Sequence, residues 1–271
     1  MKDSWSWLPP NGFLMGMNHL INEWRYQDVV VFEELVDASY IEADRQRCKE
    51  LGQDRPSYTA YLVKSISDTL VRHPKMNRLL QRPWLGLGAL RWVQLTTSDA
   101  AVAVEAEVDG TDIAYARILR NCQDKSVGDI MGELRQVSSE AATTGQVPAE
   151  LGRLCRLIDR MPAPLSWRIS ILMRLVRSTR RHPRTWVQHR GGAWAITSPA
   201  KYGVERLAAR SAWPMQFAFG QVKPQVLPID GEPQVRRSFA LTLAWQRELT
   251  TGAVAARFFA DVVRRLQTAP W

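Results

Sequence analysis

Residues 234–253 read QVRRSFALTLAWQRELTTGA, and this stretch decides the fold. The part over 234–246 contains neither glycine nor proline and is almost wholly apolar from 238 to 245, which predicts a β-strand over 234–246. Just upstream, the dipeptide Asp230-Gly231 suits the positive φ angles of a two-residue hairpin turn. Downstream, apolar side chains recur every four residues, which predicts a closing amphipathic helix over 251–267.

The other elements are predicted from the same two periodicities, read outward from this stretch toward the N-terminus. In chain order they are a strand over 28–38, helices over 41–52 and 54–74, a hairpin over 99–119 centred on Asp109-Gly110, a helix over 126–143, and strands over 191–199 and 213–222. Strands and helices are interleaved without a regular strand–helix–strand repeat. The sequence therefore predicts an α+β domain.

The length and composition fit one domain. With 271 residues, 45% of them hydrophobic, the chain can bury a large core, and we expect an N-terminal arm over 1–27 followed by a single domain over 28–271. The three cysteines share no spacing that predicts a disulfide framework or a zinc site. No apolar run reaches the ~18 residues that cross a bilayer, and the N-terminus lacks the order of a secretory signal. We therefore predict a cytoplasmic protein with no membrane partner and no metal.

The positive charge is concentrated in one part of the chain. The net charge is +9, and many of the arginines fall within 151–181, where they are mixed with leucine, isoleucine and valine. Such mixing predicts a basic helical insertion with a solvated face, broken by Pro162 and Pro164. No nucleic-acid-binding motif accompanies the arginines, so we predict no nucleic-acid partner.

Two stretches resemble a known family. In the catalytic domain of dihydrolipoamide acyltransferases, which has the chloramphenicol-acetyltransferase-like fold, a late segment reads leucine-threonine-leucine, two residues, then Asp-His-Arg-x-x-Asp-Gly-Ala. It resembles Leu241–Ala253 without a gap. A second family segment, Gly-Thr-Phe-Thr-Ile-Ser-Asn-Leu-Gly followed by two residues and Gly, resembles 192–203 equally without a gap. The resemblance implies a two-layer α+β domain with a mixed sheet, assembled as a homotrimer whose substrate channel lies at the subunit boundary.

The resemblance also implies a chemistry that this sequence does not keep. In the family a histidine removes a proton from a thiol or hydroxyl that attacks an acyl thioester, and a hydroxyl stabilises the resulting oxyanion. Carried over by position, the histidine falls on Arg247, an aspartate that shapes the site falls on Thr251, and the hydroxyl falls on Thr197. Arginine, with a pKa above ~12, cannot serve as a base at neutral pH. A register slipped by one residue would place the histidine on Gln246, which is no base either.

Two other side chains are candidates for a displaced base. His189 precedes the strand that carries Thr197 and could approach the same cleft, although a loop histidine is more often simply solvated. Glu248 could act as a base if burial raised its pKa, although a charge at a strand end is more often exposed. Arg247 itself could anchor a carboxylate, an enolate or a phosphate, or it could form a surface salt bridge with Glu248 or with a neighbouring subunit.

Tryptophan is abundant, with eleven residues, and two of them adjoin the motif positions. Trp194 and Trp245 could form flat walls for an apolar or conjugated ligand, or they could belong to the core. Together with Gln246, Ser198 and Thr251 they make up the predicted substrate-binding set.

Three functions follow as hypotheses. The first is a repurposed enzyme that acts at the subunit interface on an apolar acyl-derived or polyketide-derived small molecule, by cyclisation or pericyclic ring closure and with no cofactor. Holding a reactive conformer accelerates such reactions without a proton carrier. The second is a coenzyme A-dependent acyltransferase with a displaced base. The third is a non-catalytic trimeric assembly protein.

Overall fold

The computed structural model describes residues 28–81, 91–108, 111–144, 160, 162, 164–178, 182–269 and 271. Within these residues the strands are β1 (Val29–Asp37), β2 (Arg78–Gln81), β3 (Arg91–Gln94), β4 (Ala100–Val108), β5 (Thr111–Leu119), β6 (Trp194–Thr197), β7 (Met215–Phe219), β8 (Lys223–Ile229) and β9 (Glu232–Gln246). The helices are α1 (Ser39–Glu50), α2 (Tyr58–Arg72), α3 (Val127–Thr144), α4 (Leu165–Ser178), α5 (Pro183–Arg190) and α6 (Gly252–Thr268).

The main sheet is organised around β9. Its strand order is β1-β9-β7-β6-β4-β5, and β8 continues along β9 beyond the end of β7. The pairs β4–β6 and β6–β7 are parallel, whereas β9 is antiparallel to β1, β7 and β8. The predicted α+β class with a mixed sheet is confirmed. A separate two-stranded sheet is formed by β2 and β3.

The sequence of β9 explains its place between two layers. Large side chains at Phe239, Leu241, Leu243 and Trp245 alternate with alanines and Thr242, and all of them are buried. Because successive side chains of a strand point to opposite faces, the large ones share one face and pack against the helices. Each large apolar side chain buried in this way contributes about 1.5–3 kcal/mol. The strand therefore binds the helical layer to the sheet.

The helices that cover this face have ends that agree with the capping and terminating residues in the sequence. Ser57 caps α2, its hydroxyl accepting from the backbone N–H of Ala60 at 3.3 Å, and the helix ends before Pro74, which cannot continue it. In α6 the side chains of Phe258, Val262 and Leu266 are fully buried, as their four-residue spacing predicts. His73, at the end of α2, joins the two helices through Asp261, with 2.6 Å between Nε2 and Oδ2.

Two rows of directly paired residues run across the sheet on opposite faces. The tryptophan row consists of Trp194, Met215, Trp245 and Val30, and it faces the helices. The threonine row consists of Thr197, Ala218, Thr242 and Glu33. Since the rows are three residues apart along each strand, they lie on different faces. The threonine row is made of smaller side chains and faces away from the helical layer.

Sequence patterning misses four elements. β8 contains Pro224 and Pro228, which argue against a central strand but are tolerated at a sheet margin. β2 and β3 have only four residues each, too few to show a period. α5 starts at Pro183, after the ring nitrogen Nδ1 of His182 has accepted from the N–H of Arg184 at 3.2 Å. The expectation that His189 lies in a loop is therefore wrong, since it belongs to the last turn of α5.

Several predictions concern residues outside the described ranges. They are the arm over 1–27, the turn Asp109-Gly110 and most of 151–163. Of the two helices predicted in the basic insertion, the second is observed as α4, which begins directly after Pro164. The other predicted turn is confirmed, because Asp230 and Gly231 have φ angles of 51° and 84°. Within the described ranges, no helix is long and apolar enough to span a membrane. Nor do three potential metal ligands cluster in this part of the chain.

Candidate functional site

The end of β9 exposes Arg247 on a fixed turn. Residues Arg247–Leu249 form a short 3₁₀ turn between β9 and α6. The backbone N–H of Arg247 donates to the carbonyl oxygen of Asp28 at 2.9 Å, and the side chain of Leu249 is buried. The backbone is thus anchored on both sides of the turn, while Arg247, which the sequence register predicts at the position of the family histidine, is exposed.

The Arg247 side chain lies over the beginning of α6. Its Nη1 atom is 3.2 Å from the place that a Cβ on Gly252, the first residue of that helix, would occupy. Thr251, which precedes the helix, is exposed and forms no side-chain capping hydrogen bond. The first N–H groups of a helix carry partial positive charge, so a guanidinium beside them creates a region that favours an anion.

Trp92 is a neighbour of this turn that sequence reasoning missed. Its indole Nε1 donates to the backbone carbonyl oxygen of Glu248 at 3.1 Å, and its side chain is 54% exposed. The two residues are 156 positions apart, so no local pattern could have joined them. The Glu248 side chain is exposed, so it lacks the burial on which the displaced-base hypothesis for this residue depends.

Thr197 is the last residue of the short strand β6, at the end away from Trp194, and Ser198 follows it. Thr197 is half-buried and pairs with Ala218 of β7. Ser198 donates its hydroxyl to the carbonyl oxygen of Phe219 at 2.9 Å and accepts from the N–H of Ala200 at 3.3 Å. Ser198 is therefore engaged in fixing the chain after β6, and Thr197 remains the residue that the sequence register predicts at the family's oxyanion position.

A close glycine contact sets the position of β6. A Cβ on Gly192 would lie 2.2 Å from the backbone oxygen of Asp99, so only glycine fits there. The buried Asp99 carboxylate accepts from Arg120 at 2.8 Å, and Arg120 also donates to two carbonyl oxygens at the end of α5. These contacts fix α5 and β6 against β4, and with them the place of Thr197.

Within one chain, the candidate residues do not converge. Thr197 of β6 is level with Thr242 of β9, and β7 lies between them. Arg247 follows Thr242 by five residues. At ~3.3 Å per residue and ~4.8 Å per strand, Thr197 and Arg247 are separated by about 19 Å. His189 precedes β6 and lies at the Trp194 end of that strand, so it does not approach Thr197 as expected. Gln246 is half-buried at the Arg247 end and its N–H donates to Pro214 at 2.9 Å.

The two motif tryptophans are core residues. Trp194 and Trp245 both have 0% exposure. Trp194 donates to the Ser98 hydroxyl at 3.2 Å and meets Phe217 edge to face, while Trp245 packs against Phe32. Of the two interpretations open at the sequence level, the structure supports the core, and neither ring forms a wall that a ligand could reach in this chain.

Comparison with solved structures places this fold. A probable dihydrolipoamide acetyltransferase from Listeria monocytogenes superposes with a TM-score of 0.69 at 16% identity, over 97% of this chain and 94% of that one. This chain has the fold of a dihydrolipoamide acetyltransferase core. The cubic core of a pyruvate dehydrogenase multienzyme complex gives 0.67 at 16% identity (98% and 93% covered), and the Azotobacter vinelandii dihydrolipoamide acetyltransferase gives 0.66 at 16% (97% and 92%).

The acetyltransferase-core fold confirms the resemblance read from the two motif stretches. No family model and no curated protein matches the sequence. At 16% identity the likeness establishes the fold alone, so function has to be argued from the residues of this chain.

Proposed function

We propose that this protein is a small-molecule enzyme that uses the acyltransferase fold without an imidazole base and works as a homotrimer. The observation that carries the proposal is the meeting of two positive groups where the family signature has its histidine. The Arg247 guanidinium lies against Gly252, and Thr251 leaves the start of α6 without a side-chain cap. Together they favour an anionic ligand group such as a carboxylate, an enolate or a phosphate.

The separation of the candidate residues supports a site built from two copies. Thr197 and Arg247 are about 19 Å apart in one chain, so they cannot contact the same reacting atoms there. Arg247 is exposed and Thr197 is half-buried, so both can meet a ligand supplied from outside their own chain. In the proposed trimer, the substrate lies at the subunit boundary, between Arg247 of one copy and Thr197 of the next.

The residues present suit a reaction that needs no proton carrier. A guanidinium fixes an anionic group by two parallel hydrogen bonds, and the Thr197 hydroxyl can donate to developing negative charge. Binding that holds the two ends of a substrate in a reactive conformer can supply ~7–11 kcal/mol of the barrier. We therefore propose cyclisation or pericyclic ring closure of an apolar acyl-derived or polyketide-derived substrate.

Trp92 takes the role first assigned to Trp194 and Trp245. It is the exposed tryptophan hydrogen-bonded to the turn that carries Arg247, and its ring offers the flat apolar surface that a conjugated ligand would use.

The experiment combines native mass spectrometry with site variants. We expect a mass of about 92 kDa, three times 30.8 kDa, and a copurifying small molecule. Arg247→Ala should lower the bound fraction about tenfold or more, since a charge-assisted hydrogen-bond pair contributes ~1.5–3 kcal/mol. Trp92→Ala should also lower it, because the flat apolar contact of the ring is lost. Arg257→Ala, which removes another exposed arginine from α6, is the matched control and should bind normally.

Three outcomes oppose the proposal. A ligand whose binding and conversion survive Arg247→Ala would show that the site is elsewhere. Release of free coenzyme A from acyl-coenzyme A, abolished by His189→Ala or Glu248→Ala, would establish the acyltransferase with a displaced base. A monomer would remove the composite site.

A non-catalytic assembly protein is the second candidate, and one observation favours it. Both tryptophans beside the motif strands are in the core, so the chain keeps the fold-stabilising part of the family pattern while its base is replaced. This candidate predicts a trimer with no copurifying ligand whose melting temperature is unchanged by Arg247→Ala.

A further inference from the structure

The outward face of α4 is apolar, whereas the outward face of a helix on a protein surface is usually polar. Trp167 is 68% exposed and Ile171 is 38% exposed, while Ile169, on the opposite side of the helix, is buried. Residues four apart in a helix lie on one face, so Trp167 and Ile171 form a single apolar surface that is directed outward. No other helix or strand in the described part of the chain packs closely along α4. This surface is therefore accessible to a partner.

The positive charge of the protein is concentrated around this helix. Residues 160–190 contain eight arginines and neither lysine, aspartate nor glutamate. Since the net charge of the whole chain is +9, these arginines account for all but one of the excess positive charges. Arg174 is exposed, and it lies on the same face as Trp167, two turns further along α4. The apolar surface is thus surrounded by positive charge, and its complement is an anionic surface with an apolar interior.

The polar groups of this part of α4 are paired within the helix. Ser170, which adjoins Ile171, donates its hydroxyl to the carbonyl oxygen of Ser166 at 2.8 Å. The N–H groups of Trp167 and Arg168 both donate to the carbonyl oxygen of Pro164, at 2.9 and 3.1 Å. A hydroxyl that is bonded to the preceding turn keeps its hydrogen bond when water is removed. Ser170 can therefore enter a less polar medium together with its apolar neighbours.

We infer that α4 binds peripherally to an anionic lipid surface, with Trp167 and Ile171 at the level of the headgroups. Helices that lie in the plane of a membrane interface combine an aromatic and aliphatic face with flanking arginines in this way, and tryptophan favours the boundary between headgroups and acyl chains. Ile171 favours lipid over nucleic acid, because an aliphatic side chain gains by leaving water but offers no surface on which a base could stack.

The length of α4 fixes the kind of membrane contact. With 14 residues it is shorter than the ~20 that span a bilayer, so it lies on the surface. The inference departs from the sequence-based expectation of no membrane partner, which depended on the lack of a spanning segment. It is also independent of the proposed catalytic role of Arg247.

The test is cosedimentation of the protein with phosphatidylcholine vesicles, either pure or containing about a quarter of phosphatidylglycerol. We expect saturable binding to the anionic vesicles, weakened by added salt. Trp167→Ala/Ile171→Ser should weaken this binding about tenfold or more, because the side chains that enter the interface are lost. Leu51→Ser/Val71→Ser removes two exposed apolar side chains, 66% and 62% exposed, from α2 and the end of α1, and should bind within about twofold of the parent.

A second pair of variants tests the charge. Arg174→Gln should weaken binding to the anionic vesicles about fivefold. Arg257→Gln removes an exposed arginine from α6 and should bind within about twofold of the parent. All four variants change exposed side chains, so their melting temperatures should stay close to that of the parent.

Several results would overturn the inference. Equal binding by the parent and by Trp167→Ala/Ile171→Ser would show that charge alone attracts the vesicles. Binding of a single-stranded oligonucleotide without any binding of vesicles would make α4 a nucleic-acid surface. A smaller assembly in Trp167→Ala/Ile171→Ser, again without vesicle binding by the parent, would make it an interface between copies of this chain.

Discussion

The tryptophan row and the threonine row cross the same strands, yet they meet different surroundings. Trp194 and Trp245 are packed under the helices with no exposure, whereas Thr197 and Glu33, in the other row, are accessible. The two rows therefore differ at their ends: Trp194 of β6 is in the core, whereas Thr197, three residues further along the same strand, is partly accessible. The middle of the threonine row is buried, because the 204–212 segment lies over Thr242. Proximity to a motif residue in sequence is a poor guide to proximity in space, because each step along a strand reverses the face.

The largest change in the free energy of unfolding is expected at Trp245, and it tests the difference between the two rows. Trp245→Ala removes a fully buried side chain and should lower the free energy of unfolding by about 3–5 kcal/mol, measured by urea denaturation. Trp245→Phe should cost less, because the indole N–H is buried without a partner among the described residues and its removal leaves no donor unpaired. Trp92→Ala, at a half-exposed tryptophan, should change stability by at most about 1 kcal/mol. Equal losses at the two tryptophans would refute the assignment of Trp245 to the core.

A smaller effect is expected in the threonine row. The hydroxyl of Thr242 donates to the carbonyl oxygen of Leu207, with that of Ala218 3.3 Å away, and so ties the 204–212 segment to the sheet. Thr242→Val keeps the shape and removes the hydroxyl, so unfolding should become easier by about 1 kcal/mol. Hydrogen exchange should accelerate at 205–209 and remain unchanged in α6. Acceleration confined to the helical layer would contradict the proposed role of this row.

The smallest effect on stability is expected at the His73–Asp261 hydrogen bond, in the helical layer that covers the tryptophan row, and it depends on pH. The hydrogen bond from His73 holds the pKa of Asp261 below its usual value. A lowered pKa means that the interaction stabilises the fold above the unfolded value of ~3.9 and is lost as the pH falls through the lower folded value. The stability lost in Asp261→Asn should therefore be nearly constant from pH 7 to 5 and shrink below about pH 4. Asp124→Asn, at an exposed position, is the control and should show no such trend.

The sequence was most informative where a period repeats over a long element. β9, α2 and α6 were predicted within a few residues because apolar spacing, a capping serine and a terminating proline agree. β2 and β3 have only four residues each, too few to show a period, and were not predicted. β8 was missed because its prolines point away from a strand when neighbours are unknown.

The candidate site was less accessible to prediction. The assignment of Arg247 to the position of the family histidine comes from a gapless register of residues and stays a prediction. The burial of Trp194 did not follow, since a four-residue strand does not reveal which of its faces meets the helices. Trp92 could not be found at all, because its bond to Glu248 is purely tertiary.

The two prolines of β8 have one more consequence, for the behaviour of the protein at high concentration. One edge of β8 pairs with β9 along its whole length. On the other edge, Pro224 and Pro228 have no N–H group to offer. A strand from another molecule would meet gaps at alternate positions there, although Val226 and Val235 offer it an apolar surface. Replacing both prolines with threonine would restore a continuous row of donors and turn a guarded margin into a template for fibrous aggregation.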